Sequence, residues 1–406
     1  GVHDDANLIQ AVRDLALEGF AGPGKPQYAS REKYVWLREL TSRLWLDTGD
    51  AEAAHEVWSP ETEALTTNNT LVNQVVQTGA MDGLIGYGAR KIRDARPDIP
   101  EKALAVEVAF LVNARLALSL VQRFGAKVSV ELHPDLAYDI EPIITSARRY
   151  YEINPDHFYI KVPLTPDGFV AVRRLSSEGI PVNFTLGFSA RQNYLAARFS
   201  RPWFVNVFLG RLNALVEEND LGSPENVGER AALASDEIVK SLRASNPEVP
   251  TQQIAASIRN GRQVATLAGV DVLTISPKAA REYLDLDLSR DDIYQRNWRD
   301  QEVNLNQDRA VDVNALSQLW EIDPRFVSFV EDAVKQGDAL DTGDQLVDLA
   351  RSHHVPLFHD WTPEDRANIR EKGKIPDLSQ WPGVPVDDLM SVAALESFAK
   401  DQLELD

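Results

Sequence analysis

Eight short runs of apolar, strand-forming residues, separated by longer segments of helical character, constrain this chain more than any other feature. The runs lie at residues 44–48, 64–68, 128–132, 158–163, 182–186, 203–209, 253–257 and 272–276. Several are apolar at successive positions, as parallel strands covered by helices on the outside should be. Segments at 166–178, 190–198 and 260–268 suit the intervening helices, and the connection at 70–127 is long enough for more than one. Strand–helix alternation repeated eight times predicts an α/β fold, a (β/α)8 TIM barrel over residues 43–285. A doubly wound sheet is the alternative, but the chain offers no G-x-G-x-x-G turn for it.

Two segments flank the barrel. Residues 1–42 read as an N-terminal helical segment around a GPGKP turn at 22–26. Residues 286–406 read as an acidic, mostly helical C-terminal extension packed on the barrel. Its helices are expected at 313–320, 324–336, 343–352, 363–372 and 386–403. The extension is expected to cover the barrel flank or part of its mouth, or to make a subunit contact.

Barrel chemistry sits at the C-terminal ends of the strands. Polar residues at those ends are Asp47, Asn68, Glu131, Lys161, Asn183, Thr185 and Asn206, with Arg259 just beyond the seventh run. Lys161 stands out because it interrupts the apolar run FYIKVP. Lysine is almost never fully buried unless something pairs with it or uses it. An apolar environment disfavours the ammonium form, and a neutral amine attacks carbonyls to make Schiff bases. Asp50 follows Asp47 in LDTGD and reads as the cap of the next helix, and a second DTGD at 341–344 reads the same way.

Charge narrows the partners. The net charge is −20, and residues 286–406 hold 26 acidic against 12 basic residues, a balance of −14. Such a surface argues against nucleic acid and against anionic membranes. No apolar run is read as reaching the roughly 18 residues of a membrane span, and no basic-then-apolar segment opens the chain. With no cysteine, disulfide and thiol chemistry are excluded, and a cytoplasmic location is expected. His353, His354 and His359 cluster without matched ligand spacing, so a loop or helix-end role is expected rather than a metal site.

The motifs resemble those of the transaldolase family over roughly residues 43–280. They are LDTGD at 46–50, TTNNT at 66–70, SVEL at 129–132, IKVPLTPDG at 160–168, VNFTLGFS at 182–189, VFLGR at 207–211 and ASIRN at 256–260, in family order. Two positions depart from the family pattern: Asn69 stands where Pro is usual, and Asn206 where Ser is usual. The extension is longer than in simple family members and too short to be a fused isomerase.

The resemblance implies a Schiff-base enzyme that moves a dihydroxyacetone unit from a ketose phosphate to an aldose phosphate. It makes Lys161 the nucleophile and Asp47 the base that takes the C4 hydroxyl proton. Glu131 and Thr185 would hold a water and shuttle protons. Asn68 and Asn183, with Asn206, would bind the hydroxyls of the three-carbon unit. Arg211 and Arg259 would grip the phosphate, with Ser257 adding a hydroxyl. No metal and no organic cofactor is implied, because the lysine iminium is the electron sink. The expected partners are sugar phosphates, and a homo-oligomer is left open. Fructose-6-phosphate aldolases share the fold but tend to carry Gln and Tyr where this chain has Glu131 and Phe208, which favours transfer over simple cleavage. An inactive sugar-phosphate-binding protein is the non-enzymatic alternative, and the presence of Lys161, Asp47 and Glu131 argues against it.

Overall fold

The computed structural model describes residues 1–405. Its centre is a closed barrel of eight strands: β1 (Arg43–Asp47), β2 (Thr62–Thr66), β3 (Lys127–Glu131), β4 (Phe158–Pro163), β5 (Val182–Thr185), β6 (Phe204–Phe208), β7 (Gln252–Ile258) and β8 (Val272–Ile275). They follow chain order around the barrel, and each pair is parallel. This is the (β/α)8 architecture expected from the alternation of segments. The connection from β2 to β3 holds three helices, Asn69–Gln77, Asp82–Ala95 and Glu101–Phe124.

Strand periodicity explains how one barrel holds both a dry floor and a polar mouth. Side chains two residues apart share a face. Trp45, Ala64, Tyr159, Phe204, Ile254, Ala256 and Val272 form one buried cluster inside the barrel. The Trp45 and Tyr159 rings stack at 5.5 Å, and Phe204 meets both edge-on at 4.7 and 5.0 Å. Two residues further along their strands come Asp47, Thr66, Lys161, Asn206 and Thr274. The aromatic layer therefore plugs the barrel directly beneath the polar layer and keeps water from reaching it from below.

Local differences from the expected boundaries have local causes. β2 ends at Thr66 rather than 68, because Asn68 turns out of the ladder to cap the next helix, accepting from the Leu71 N–H at 2.8 Å. The expected helix 190–198 is α-helical only over Ala190–Leu195 and continues as a π turn, Ala196–Ser200. In the extension, Pro324–Gln336, Gly343–Ser352 and Pro363–Lys372 coincide with expectation, and the last helix runs Val386–Leu405. The segment expected at 313–320 starts earlier, as Ala310–Ala315, and tightens to a 3-10 turn at Leu316–Leu319.

The expectation that no segment matches a membrane span needs correction. Helix Glu101–Phe124 is long and apolar enough by length and composition. In the structure, most of its apolar window is buried inside the protein. Glu107, within that helix, is fully buried and takes a bidentate pair from Arg149 at 2.7 and 2.9 Å. It is a core helix packed on β3.

The terminal helix Val386–Leu405 lies across the C-terminal ends of the strands. It packs on the helix that follows β2 and on the turn Pro134–Leu136 after β3. Beyond β5, Ser391 Oγ donates to the Leu186 carbonyl at 2.6 Å, and Gln192 donates to Ser391 Oγ at 3.1 Å. Asp387 accepts from Arg191 Nε and Nη2 at 2.7 and 2.9 Å and from Ser189 Oγ at 2.7 Å. Thr70 Oγ1 donates to the Asp401 carboxylate, and the Phe398 ring lies 5.4 Å from the Arg211 guanidinium. Contacts from the segments that follow four strands thus hold this helix over the mouth.

Candidate active site

Lys161 is the inward residue of β4, and its side chain is 5% exposed. Register pairs it with Glu131 on β3 and Asn183 on β5. Its Nζ donates to the Thr67 carbonyl at 2.9 Å and lies 4.0 Å from Glu131 Oε2. The amine is therefore fixed at the centre of the mouth by one hydrogen bond and one near carboxyl, without being locked into a tight ion pair.

Glu131 is buried, and burial pushes its carboxyl up to about 7. The opposing influences are the Lys161 charge, the Asn69 N–H donating to Oε2 at 3.3 Å, and the Arg211 charge. Asn113 Nδ2 donates to the Glu131 carbonyl at 2.9 Å and steadies the strand end. Glu131 Oε1 and the Thr185 hydroxyl are both buried without a hydrogen-bond partner. A carboxyl poised near neutrality, with one oxygen left unpartnered, is suited to taking and returning protons.

Asp47 ends β1 and accepts from Thr66 Oγ1 at 2.9 Å, which in turn is 2.7 Å from Thr274 Oγ1. Burial pushes its carboxyl up, against the pull of Lys161, the Thr66 hydroxyl, Arg259 and Arg211. Asp50, three residues on, caps helix Ala51–Val57 through the N–H groups of Glu52 and Ala53. The two aspartates of LDTGD thus divide into a mouth residue and a cap.

The asparagines are arranged differently from a simple set of ligands. Asn206 Nδ2 donates to Asn183 Oδ1 at 2.7 Å and to the Phe184 carbonyl at 3.2 Å, while Asn183 Nδ2 donates to Ser129 Oγ at 3.1 Å. Asn183 is consequently a link in a chain across β3, β5 and β6. The Asn68 side-chain oxygen Oδ1 is used as a helix cap, which leaves only its amide nitrogen as a side-chain group to offer a ligand. Phe208 is half-buried against Phe188, with ring centroids 5.8 Å apart.

The two arginines come together because Gly210 has no side chain. A Cβ at Gly210 would stand 2.2 Å from the Ser257 carbonyl oxygen and 2.6 Å from Arg259 Nε. Ser257 occupies the left-handed region, φ 59°, where the β7 register shifts, and its hydroxyl is buried without a partner. Arg211 is buried with Nη1 unpaired, and its guanidinium is pushed down to about 10 by burial and by the Arg259 charge. Arg259 is also lowered by loss of solvent. Two crowded cations without a salt-bridge partner among the described residues make a site for an anion. Asp47, Ser257, Arg259, Thr274 and Lys278 line a cavity of about 240 Å³ beside them.

A profile of known proteins described as Transaldolase/Fructose-6-phosphate aldolase matches residues 44–336. This chain belongs to that family. A transaldolase from Rhizobium etli is 30% identical over 269 residues, which is 63% of this chain and 77% of the relative. One from Agrobacterium fabrum is 32% identical over 270 residues, 63% of this chain and 78% of the relative. A probable transaldolase from Thermus thermophilus is 31% identical over 245 residues, 59% of this chain and 90% of the relative. The chain is therefore a transferase of the transaldolase family built on a TIM barrel.

The family match leaves out residues 1–43 and 337–406, and no family motif falls in the latter. Lys374, in the loop before the last helix, has its ammonium pushed down by partial loss of solvent and then by the Arg211 charge, with Asp401 opposing. Phe398 and Asp401 reach the mouth from the last helix. The one sequence signal for this placement is Asp387–Asp388 directly ahead of the mostly apolar stretch Leu389–Leu395, since buried carboxylates need partners elsewhere. The tail histidines serve locally. His353 Nε2 sits 2.8 Å from Asp332 Oδ2, and the His359 ring meets the Trp361 ring at 4.6 Å.

Proposed function

We propose that this protein is a transaldolase of the pentose phosphate pathway, active in the cytoplasm. Its donor is a ketose phosphate such as fructose 6-phosphate or sedoheptulose 7-phosphate, and its acceptor an aldose phosphate. Lys161 Nζ, its proton taken by Glu131, attacks the C2 carbonyl. Glu131 returns that proton to the new alkoxide, takes a second proton from the nitrogen of the adduct and gives it to the hydroxyl, which leaves as water, and a C2=Nζ iminium remains. Asp47 accepts the C4 hydroxyl proton. The C3–C4 bond breaks, its electron pair moves onto the iminium as an enamine, and an aldose phosphate departs. The enamine attacks the acceptor aldehyde, Asp47 returns the proton to the new hydroxyl, and water hydrolyses the iminium.

The observation that carries this reading is the buried Lys161 flanked by two carboxyls that burial has raised. Glu131, raised to about 7, exchanges protons readily near neutral pH. Arg211, Arg259 and Ser257 grip the phosphate, and the asparagine chain holds the hydroxyls of the three-carbon unit. Phe208 carries no hydroxyl to protonate the enamine, which therefore waits for an aldehyde. The test is glyceraldehyde 3-phosphate release from fructose 6-phosphate with and without erythrose 4-phosphate, alongside borohydride trapping of the wild type and Lys161→Ala. Acceptor-dependent release with trapping only in the wild type supports transfer. Equal release without acceptor makes the enzyme an aldolase, and absence of a trapped adduct removes the Schiff base.

A further inference from the structure

Asn69 occupies the first position of helix Asn69–Gln77, directly after its cap Asn68. The N–H at that position has no partner within a helix. Here it points at the mouth and donates to Glu131 Oε2 at 3.3 Å. Asn69 is only 4% exposed, and its Nδ2 is buried without a hydrogen-bond partner. Glu131 Oε1 is likewise buried and unpartnered. Asn69 and Glu131 both line the same cavity of about 420 Å³. One residue thus brings a bonded donor to one carboxyl oxygen and carries a second, unpartnered donor on its side chain, while the other carboxyl oxygen is also unpartnered.

We propose that Asn69 is a positioning residue for the Glu131 carboxyl: its backbone N–H orients Oε2, and its side-chain amide presents a donor to the water through which Oε1 shuttles protons during iminium formation. The inference rests on the role given to Glu131 above. A proline at this position, which has no N–H, could not make the first contact. Donation to the ionised carboxyl favours the charged form, so the N–H holds Glu131 lower than burial alone would leave it. The other charges facing Glu131 are Lys161 on β4, Arg211 on the helix after β6 and Asp47 on β1. None of them is altered by changing Asn69.

The backbone makes the experiment clean, because proline is well tolerated at the first position of a helix. Asn69→Pro removes both donors, and Asn69→Ala removes only the amide. The carboxyl is followed in the free enzyme by carbon-13 NMR of labelled glutamate, assigned with Glu131→Gln, and iminium formation by rapid-quench borohydride trapping. Asn69→Pro is expected to raise the Glu131 midpoint by about one unit, and Asn69→Ala to leave it in place. Both are expected to slow trapping several-fold while the final trapped yield persists. Equal midpoints in all three proteins, or equal shifts in both variants, would overturn the backbone assignment. Unchanged trapping rates in Asn69→Ala would overturn the amide assignment. Failure of the Schiff-base reading itself would show separately, as no trapped adduct in the wild type.

Discussion

Replacing Glu131 by Gln should make the protein more stable and less active, and the stability gain should depend on pH. In the folded chain, burial lifts the carboxyl from the ordinary 4.5 to about 7. A group whose folded value is raised binds its proton more tightly in the folded state. Between pH 4.5 and 7 the folded state therefore holds protons that the unfolded chain has lost, and stability falls as pH rises. The full cost, reached above pH 7, is about 3 kcal/mol at 1.36 kcal/mol per unit. Glutamine keeps the shape and cannot ionise, so Glu131→Gln should exceed the wild type by up to about 3 kcal/mol at pH 8. The gain should shrink through pH 6 and vanish below pH 4.5, where both side chains are neutral. Loss of the Lys161–Glu131 approach at 4.0 Å works against part of it. Urea unfolding of the two proteins at pH 8 and at pH 4.5 measures the difference, because every other titrating group is shared. The same variant should lose about 10²- to 10⁴-fold in kcat through the missing proton shuttle. A stability difference independent of pH, or a variant less stable at pH 8, would refute the account of a carboxyl held up by burial.

Three further outcomes follow from the extension and the mouth. Asp387→Ala leaves Arg191 buried without its carboxylate and should cost about 3–5 kcal/mol, read as a lower urea midpoint; an unchanged midpoint would show that the helix is not held by this pair. Gly210→Ala forces a methyl against the Ser257 carbonyl and Arg259, so it should raise KM for phosphorylated donors at least tenfold with an intact circular dichroism spectrum; an unchanged KM would mean that the arginines do not meet there in use. Removing residues 300–406 uncovers the ends of four strands and should give insoluble or inactive protein; a soluble truncation with full activity and unchanged melting would sink that expectation.

Much of this molecule is written locally. The eight strands are legible because burial on both faces leaves short apolar runs, and the order of the runs is also their order around the barrel. Lys161 is legible because a lysine inside such a run has no surface role. Asp50 reads correctly as a cap, and the second DTGD does open a helix, though through Thr342 rather than its last aspartate; both are legible because capping involves only the next three residues. Helix Glu101–Phe124 was hidden by the same logic: its buried Glu107 and Asn113 are tolerated only because Arg149, Tyr150 and the end of β3 answer them from elsewhere in the chain.

By itself, then, the sequence determined the barrel, the residues at the strand ends and the family, because each depends on periodicities of two or on motifs a few residues long. Tertiary structure alone decided three things. It joined Asn183, Asn206 and Ser129 into one chain instead of three independent ligands. It turned the Asn69 N–H toward Glu131. It laid the last helix over the mouth, through contacts such as Arg191 with Asp387 and Thr70 with Asp401. Partners separated by hundreds of residues leave no periodic trace in sequence, since what joins them is the geometry of the closed barrel.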